Sequence, residues 1–169
     1  PDPTQSADWN RGAYLVRGLG HCPACHGARD ALGGQHASSA MKGSHLSHGG
    51  WYAPSLADAA EAGVGHWPLD EVLQWLRSGV SAHGTAQGPM AEVVVRSTQY
   101  LPDADLRAMA VYLRSLSPTT LPNTVVSNVA IKPSTSADAA RQQAGERLYG
   151  DHCASCHGRQ GQGAPGIYP

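Results

Sequence analysis

The sequence predicts an all-α protein made of two unequal units. Apolar residues recur at helical spacing in four stretches of the chain. A pentapeptide of the form C-x-x-C-H occurs twice, beginning at Cys22 and at Cys153. Between the two copies, residues 119–133 are polar and β-branched with two prolines, which is typical of an extended linker. We therefore expect one unit over residues 1–118, a linker over 119–133 and a second unit over 134–169.

The first predicted helix leads into the first pentapeptide. Ser6 is a suitable N-cap, and the helical pattern runs from Asp8 to about Arg17. One face of this helix carries Trp9, Gly12, Ala13 and Val16. A glycine inside a helix costs stability, so Gly12 is either tolerated or present because a second helix crosses closely at its bare backbone.

Two further helices are predicted in the first unit, and one in the second. The second helix has Pro68 at its first position and stops at Gly79. The third begins near Pro102, has negative charge in its first turn and ends before Pro118. Their apolar stripes are Leu69, Val72, Leu73 and Leu76 in the second, and Leu106, Met109, Ala110, Leu113 and Leu116 in the third. A fourth helix, over residues 137–149, precedes the second pentapeptide.

The two pentapeptides have the spacing of a c-type haem attachment site. In such a site two thiols add to the vinyl groups of one porphyrin, and the adjoining imidazole reaches the iron. A redox-active dithiol does not need the histidine, and a structural zinc site would pair the two motifs as one four-ligand cluster. We therefore predict two covalently bound haem c groups. The attachment residues are Cys22, Cys25, Cys153 and Cys156, and the iron ligands are His26 and His157.

The iron of an electron carrier normally has a second axial ligand, and a thioether in that position raises the reduction potential. Met109 belongs to the apolar stripe of the third helix, where a core role is sufficient. Met41 is expected in a flexible loop on the histidine side of the chain. Met90 follows a Gly-Pro pair in a stretch expected to be irregular, from which its sulfur could reach the opposite face of the haem. Met90 is therefore the predicted second ligand of the first haem, with His83 as the alternative.

The segment from Trp51 to Pro54 forms a small aromatic cluster that we expect to cover an edge of the porphyrin. An iron-bound histidine usually donates its other ring N–H to a carbonyl or carboxylate. Pro54 can fix a turn in the chain. We therefore expect the carbonyl of Pro54 to accept this hydrogen bond from His26.

Charge and hydropathy argue against two classes of partner. Twelve basic and thirteen acidic residues give a formal net charge of −1 without a basic run, so no nucleic acid is expected. No apolar stretch is long enough to cross a bilayer, so membrane attachment would come through a partner or through segments outside this sequence. The chain begins at Pro1 without a signal-like segment, so we expect a processed or excised piece. Haem attachment of this type implies export, and the expected compartment is the periplasm.

Three longer stretches make the resemblance to a known family specific. They are NRGAYLVRGLGH at residues 10–21, GPMAEVV at 88–94 and STQYL at 97–101. Together with the C-x-x-C-H motif they resemble a class I cytochrome c domain. More closely, they resemble the middle domain of the tri-haem cytochrome c subunit of bacterial membrane-bound alcohol, gluconate and related sugar-alcohol dehydrogenases. Residues 158–169 are similar to the opening of that family's third haem domain.

The resemblance implies three main helices wrapped around one haem, with Met90 as an iron ligand, followed by an incomplete second domain of the same type. The family's first haem domain and the rest of its third would lie outside this sequence. The implied function is electron transfer from a dehydrogenase subunit toward quinone or another redox protein, on the periplasmic face of the inner membrane. Such a carrier is not itself an enzyme, because both axial positions are filled. The alternative is an enzyme resembling di-haem peroxidases, which also have two C-x-x-C-H motifs but keep one iron open.

Overall fold

The structure is a computed structural model that describes residues 1–35, 39–46, 49–119 and 135–162. The described residues divide into two units. The first unit comprises Pro1–Gly79 and residues 86–119, and the second comprises Val80–Thr85 and residues 135–162. Except for residue 119, the predicted linker lies outside the described residues. None of the described helices is long and apolar enough to cross a membrane.

The first unit is mainly helical, as predicted from the sequence. Its helical segments are α1 (Ala7–Tyr14), a π-helical segment (Leu15–Leu19), α2 (Pro23–His26), α3 (Leu69–Ser78), α4 (Gly88–Arg96), a 3-10 turn (Thr98–Tyr100) and α5 (Asp103–Arg114). A short antiparallel pair, β1 (Ser44–His45) and β2 (Tyr52–Ala53), places Ser44 opposite Ala53. The all-α prediction is confirmed.

The first helix starts as predicted but ends differently. The side chain of Ser6 accepts a hydrogen bond from the amide of Trp9 at 3.1 Å, which caps α1. The helical segment extends to Leu19, slightly beyond the predicted end near Arg17, but after Tyr14 the chain winds as a π-helix. In that segment the amide of Gly20 donates to the carbonyl of Leu15 at 2.6 Å, five residues back. The wider turn leads the chain directly into the first C-x-x-C-H motif.

The first helix crosses α5 at Gly12. A Cβ atom at Gly12 would lie 2.0 Å from the carbonyl oxygen of Ala108 and 2.8 Å from the Cβ of Tyr112. The close-crossing explanation of this glycine is therefore confirmed. Beside the crossing, the ring of Trp9 packs edge-on against Tyr112 at 5.1 Å and donates its indole N–H to Ser115 at 2.8 Å.

The core of the first unit lies between the first helix, α3 and α5. Its buried apolar residues are Leu15, Val16, Met41, Val72, Leu76, Leu106, Met109, Ala110, Tyr112 and Leu113. The predicted stripes of α3 and α5 and the core role of Met109 are confirmed. Met41 lies in a loop, as expected, but its side chain is 2% exposed and belongs to the core, which the sequence did not predict. Its unbranched thioether side chain packs in the same buried cluster as the apolar residues of the helices.

The stretch around Met90 is helical, in contrast to the irregular loop expected from the sequence. It forms α4, with Pro89 in the first turn, where the missing amide of proline costs no hydrogen bond. The sequence did not indicate this helix, because the residues from Val93 to Val95 are β-branched and have low helix propensity. Met90 is thus held by a regular element.

The second unit contains one hairpin and two helices among its described residues. The hairpin pairs β3 (Val80–Ser81) with β4 (Gly84–Thr85). The helices are α6 (Ser136–His152) and α7 (Ala154–His157). Thr135 caps α6 by accepting from the amide of Asp138 at 3.1 Å. None of the side chains of α6 is buried, so this helix is defined by its local sequence rather than by packing within the described residues.

Replacing Gly12 with alanine is expected to lower the free energy of unfolding by about 2 kcal/mol or more, because the added methyl group collides with the backbone of α5. Urea denaturation monitored by circular dichroism measures the effect. Gly18→Ala is the matched control, since its Cβ would find its nearest neighbours at 3.9 Å, in the ring of Tyr14. Equal stability of the two variants would contradict the close crossing.

An ion pair between the first helix and α5 is expected to make stability depend on acid pH. The Nε and Nη2 atoms of Arg11 donate to the two carboxylate oxygens of Asp105 at 2.8 and 2.9 Å, and these hydrogen bonds lower the pKa of Asp105. The stabilisation is therefore present above the unfolded pKa of about 4 and is lost as pH falls through the lower folded pKa. The stability advantage of the wild type over Arg11→Gln should shrink below pH ~4 in denaturation curves. An advantage that stays constant into acid would contradict this assignment.

Candidate haem site

Both C-x-x-C-H motifs fold into the same helical turn. In the first copy, the amides of Cys25 and His26 donate to the carbonyl of Cys22 at 3.2 and 2.9 Å. In the second copy, the corresponding amides donate to the carbonyl of Cys153 at 3.1 and 2.9 Å. The two motifs thus share their backbone hydrogen bonds as well as their sequence.

This turn explains why the spacing is suited to one planar cofactor. Residues three apart on a helical turn lie on the same side, so both thiols of a motif can reach the same ligand. In the first copy, Pro23 occupies the start of α2, where its fixed backbone angle favours the helical turn. The histidine follows the second cysteine directly and ends the same short helix.

His26 is prepared to act as a metal ligand. Its Nδ1 lies 2.7 Å from the carbonyl oxygen of Pro54, as expected from the sequence. Since a carbonyl can only accept, Nδ1 carries the proton and Nε2 keeps a free lone pair. Burial lowers the pKa of His26, and the hydrogen bond to Pro54 opposes this only in part. The ring is therefore neutral at pH 7, which is the form that binds a metal.

The cysteines have the chemistry that haem attachment requires. All four are free thiols. Cys22 is half-buried and burial raises its pKa to about 11, whereas Cys25 is exposed. The zinc alternative needs a cluster of ligands, and no group of three or more His, Cys, Asp or Glu side chains converges on a metal position within the described part of the chain. Two free thiols and one neutral imidazole on a single turn fit a covalently attached haem.

A tightly bonded loop carries Pro54. Ser55 is 5% exposed, and its hydroxyl donates to the carbonyl of Met41 at 3.2 Å. The same carbonyl accepts the amide of Leu56 at 2.9 Å. The amide of Ser55 donates to the carboxylate of Glu61 at 2.7 Å. Sequence reasoning missed Met41, Ser55 and Glu61, because contacts between loop residues leave no periodic pattern.

Met90 lies on the first turn of α4 with its side chain half-buried. Beside it is an open cleft of about 600 Å³, lined by Trp51, Gly88, Pro89, Glu92, Val93 and Arg96. Trp51 is 46% exposed, and its role as a cover for the porphyrin stays a prediction. The residues that line the cleft do not include His26, Cys22 or Cys25. The role of Met90 as the second iron ligand therefore also stays a prediction. The alternative, His83, is exposed in the hairpin of the second unit.

The second motif is more open than the first. Cys153 and Cys156 are exposed, and His157 is half-buried. The hydroxyl of Tyr149 donates to the carbonyl of Gly158 at 2.6 Å, which ties the end of α6 to the residue after the motif. This bond holds the turn in place within the second unit.

Comparison with protein families identifies the same two regions. A family model described as Cytochrome c matches residues 10–117 and 142–169. These ranges contain both C-x-x-C-H motifs and Met90. The match covers most of the chain.

Three curated proteins illustrate the similarity. The fructose dehydrogenase cytochrome subunit of Gluconobacter japonicus is 39% identical over 182 residues, covering 99% of this chain and 37% of that protein. The cytochrome c subunit of alcohol dehydrogenase (quinone) from Gluconacetobacter polyoxogenes is 37% identical over 178 residues, covering 100% and 37%. The gluconate 2-dehydrogenase cytochrome c subunit of Pantoea cypripedii is 36% identical over 165 residues, covering 94% and 37%. The chain thus spans well under half the length of each relative.

Proposed function

The chain belongs to the cytochrome c family, and on that premise we propose that it is a periplasmic electron carrier with two covalently bound haem c groups. Covalently bound haem c is the cofactor of this family, and the count of two rests on the two C-x-x-C-H turns. The observation that carries the proposal is the hydrogen bond from His26 to the carbonyl of Pro54. It leaves the other ring nitrogen of a neutral imidazole available to iron.

Each motif has a defined set of roles in this proposal. Cys22 and Cys25 hold one haem through thioether bonds, and His26 is its iron ligand. The residues with the same roles at the second haem are Cys153, Cys156 and His157. When bound, haem c supplies a one-electron redox couple.

Met90 is the second axial ligand of the first haem in this proposal. With His26 it would fill both axial positions of the first haem, which would exclude water and substrate there and leave that haem without bond chemistry of its own. Its helix supports the role, because the first turn of α4 holds the side chain half-buried, and the residue before it, Pro89, lines the open cleft. His83, which is exposed, lacks such support.

The domain boundaries are part of the proposal. Residues 1–118 form the first haem domain, 119–133 the linker and 134–169 the start of a second haem domain. Two observations support these limits. The family model matches two separate ranges, 10–117 and 142–169. In addition, a helical segment leads into the C-x-x-C-H turn in each range.

The names of the relatives suggest which redox partners this chain has. All three are named as cytochrome subunits, of fructose, alcohol and gluconate dehydrogenases. We propose that a dehydrogenase subunit donates electrons to this chain and that quinone or another redox protein accepts them. Membrane association then comes through a partner or through another part of a longer protein. Because the chain spans only 37% of each of these relatives, the named partners are those of longer proteins and are a proposal for this chain.

The pyridine haemochrome assay and the intact mass are expected to give two haems per chain. The double variant Cys153→Ser/Cys156→Ser should retain one haem, because its first motif is unchanged. Ser155→Ala is the matched control and should retain both, since the residue between the thiols makes no bond to the porphyrin. A missing c-type spectrum, or zinc in place of iron, would overturn the proposed function.

Met90→Ala, made in the double cysteine variant so that only the first haem is present, is expected to abolish the weak sulfur-to-iron absorption band of the oxidised protein. It should also allow stoichiometric binding of carbon monoxide after reduction, because one axial position is vacated. Met109→Leu is the control, since it replaces a buried thioether by a side chain of similar volume and should leave the band intact. A band that survives in Met90→Ala would exclude Met90, and its loss in His83→Ala would point to the alternative. Stoichiometric carbon monoxide binding at one haem of the protein that carries both haems, with Met90 in place, would favour the peroxidase-like enzyme.

A further inference from the structure

The peptide group between Pro54 and Ser55 is hydrogen-bonded at both ends. Its carbonyl accepts from Nδ1 of His26 at 2.7 Å. Its N–H donates to Oε2 of Glu61, also at 2.7 Å. The carbonyl and the N–H belong to one planar, resonance-stabilised unit, so a charge that acts on one end changes the other. Glu61 and His26 are therefore connected through a single peptide bond.

This connection has a known physical effect on hydrogen-bond strength. A carboxylate that accepts a hydrogen bond from a peptide N–H polarises the peptide group. This polarisation increases the electron density on the carbonyl oxygen. That oxygen then accepts more strongly from the histidine. A stronger hydrogen bond at Nδ1 makes the other ring nitrogen more basic, as in histidines that bind metals while donating to a carboxylate directly.

We propose that Glu61 is a positioning residue that acts on His26 through the Pro54–Ser55 peptide group and lowers the reduction potential of the first haem. The inference rests on the proposed function, in which His26 binds the haem iron. A more electron-rich ligand stabilises the oxidised iron more than the reduced iron, which sets the direction of the effect. The carboxylate of Glu61 bonds to the loop that carries Pro54, so its influence on the iron passes through the peptide group.

The loop holds the peptide group in one orientation. Ser55 is fixed by its hydroxyl, which donates to the carbonyl of Met41 at 3.2 Å, and by its own carbonyl, which accepts from the amide of Ala62 at 3.0 Å. The hydroxyl of Tyr52 donates to the same Oε2 of Glu61 at 3.0 Å and orients the carboxylate. The peptide group therefore cannot rotate away from His26 without breaking several bonds.

Gly43 makes the close approach of these groups possible. A Cβ atom at Gly43 would lie 2.6 Å from the hydroxyl of Tyr52 and 2.9 Å from the amide of Ser55. The amide of Gly43 also donates to the carbonyl of His26 at 2.9 Å. The segment that contains Gly43 is thus attached to the haem-binding turn by a hydrogen bond independent of the one at the ring.

The test compares three variants of the whole chain with both haems attached. Glu61→Ala removes the acceptor, whereas Glu61→Gln removes the charge but keeps an oxygen that can accept from Ser55. Asp58→Asn is the matched control, because it removes an equal charge from the same loop and its carboxylate accepts from the amide of Ala60 instead. The readouts are the two midpoint potentials from a spectroelectrochemical titration and the solvent exchange of the His26 ring N–H, measured by NMR in the reduced protein.

The proposal expects one of the two midpoint potentials to rise in Glu61→Ala, to rise less in Glu61→Gln and to stay unchanged in Asp58→Asn. The ring N–H of His26 should exchange about tenfold faster in Glu61→Ala, which corresponds to weakening one ordinary hydrogen bond. Equal shifts of the midpoint potential in Glu61→Ala and Asp58→Asn would show that the loss of a negative charge at long range explains the effect. That result would overturn the proposal. Unchanged potentials and exchange in both Glu61 variants would overturn it as well.

A pyridine haemochrome measurement on the Cys153→Ser/Cys156→Ser variant, in which the first motif is the remaining attachment site, separates this inference from the proposed function. If haem is attached at the first motif but the Glu61 variants keep the wild-type potentials and exchange rate, only the proposed role of Glu61 is overturned. No haem at Cys22 and Cys25 removes the proposed function and, with it, the role of His26. If Glu61→Ala does not fold, Glu61→Gln decides alone, because it keeps the size of the side chain and an acceptor for Ser55.

Discussion

A hydrogen bond from Nδ1 of His26 to the carbonyl of Pro54 joins two parts of the first unit that are far apart in sequence. It fixes the tautomer and the direction of the imidazole, so the other nitrogen can serve a metal. The acceptor is a backbone atom and needs no particular side chain, but it must be held in place. That task falls to the bonds around Ser55, which connect the loop to Met41 and to Glu61.

The packing behind this site depends on close contact between the first helix and α5. The chain contains no phenylalanine. At Gly12 the first helix and α5 approach until no side chain fits between them, which brings Leu15, Val16 and Tyr112 into the core. A core of this size is small for an independent domain. A large apolar cofactor would increase the apolar area that the domain buries when it folds. Haem binding and folding are thus coupled in the proposed function.

Local patterns predicted the features that depend on neighbouring residues. The cap at Ser6, the stripe of α3 and its end at Gly79 follow from residues within a few positions of each other. The patterns failed where long-range contacts decide. Met41 has mostly polar neighbours in the sequence but is buried in the fold, and α4 forms despite a β-branched run. The π-helical segment was also missed, because its hydrogen bonds differ from those of an α-helix by only one residue.

The amino-acid sequence alone predicted the covalent chemistry: two thiols and a histidine at fixed spacing indicate an attachment turn, because that geometry lies within a single helical turn. It also specified most helices, since caps and apolar stripes are short-range. Only the tertiary structure decided how closely the carbonyl of Pro54 meets His26, which carboxylate stands behind that carbonyl, and why Gly12 must lack a side chain. These contacts join residues between 6 and about 100 positions apart, and their distances depend on how the whole chain packs.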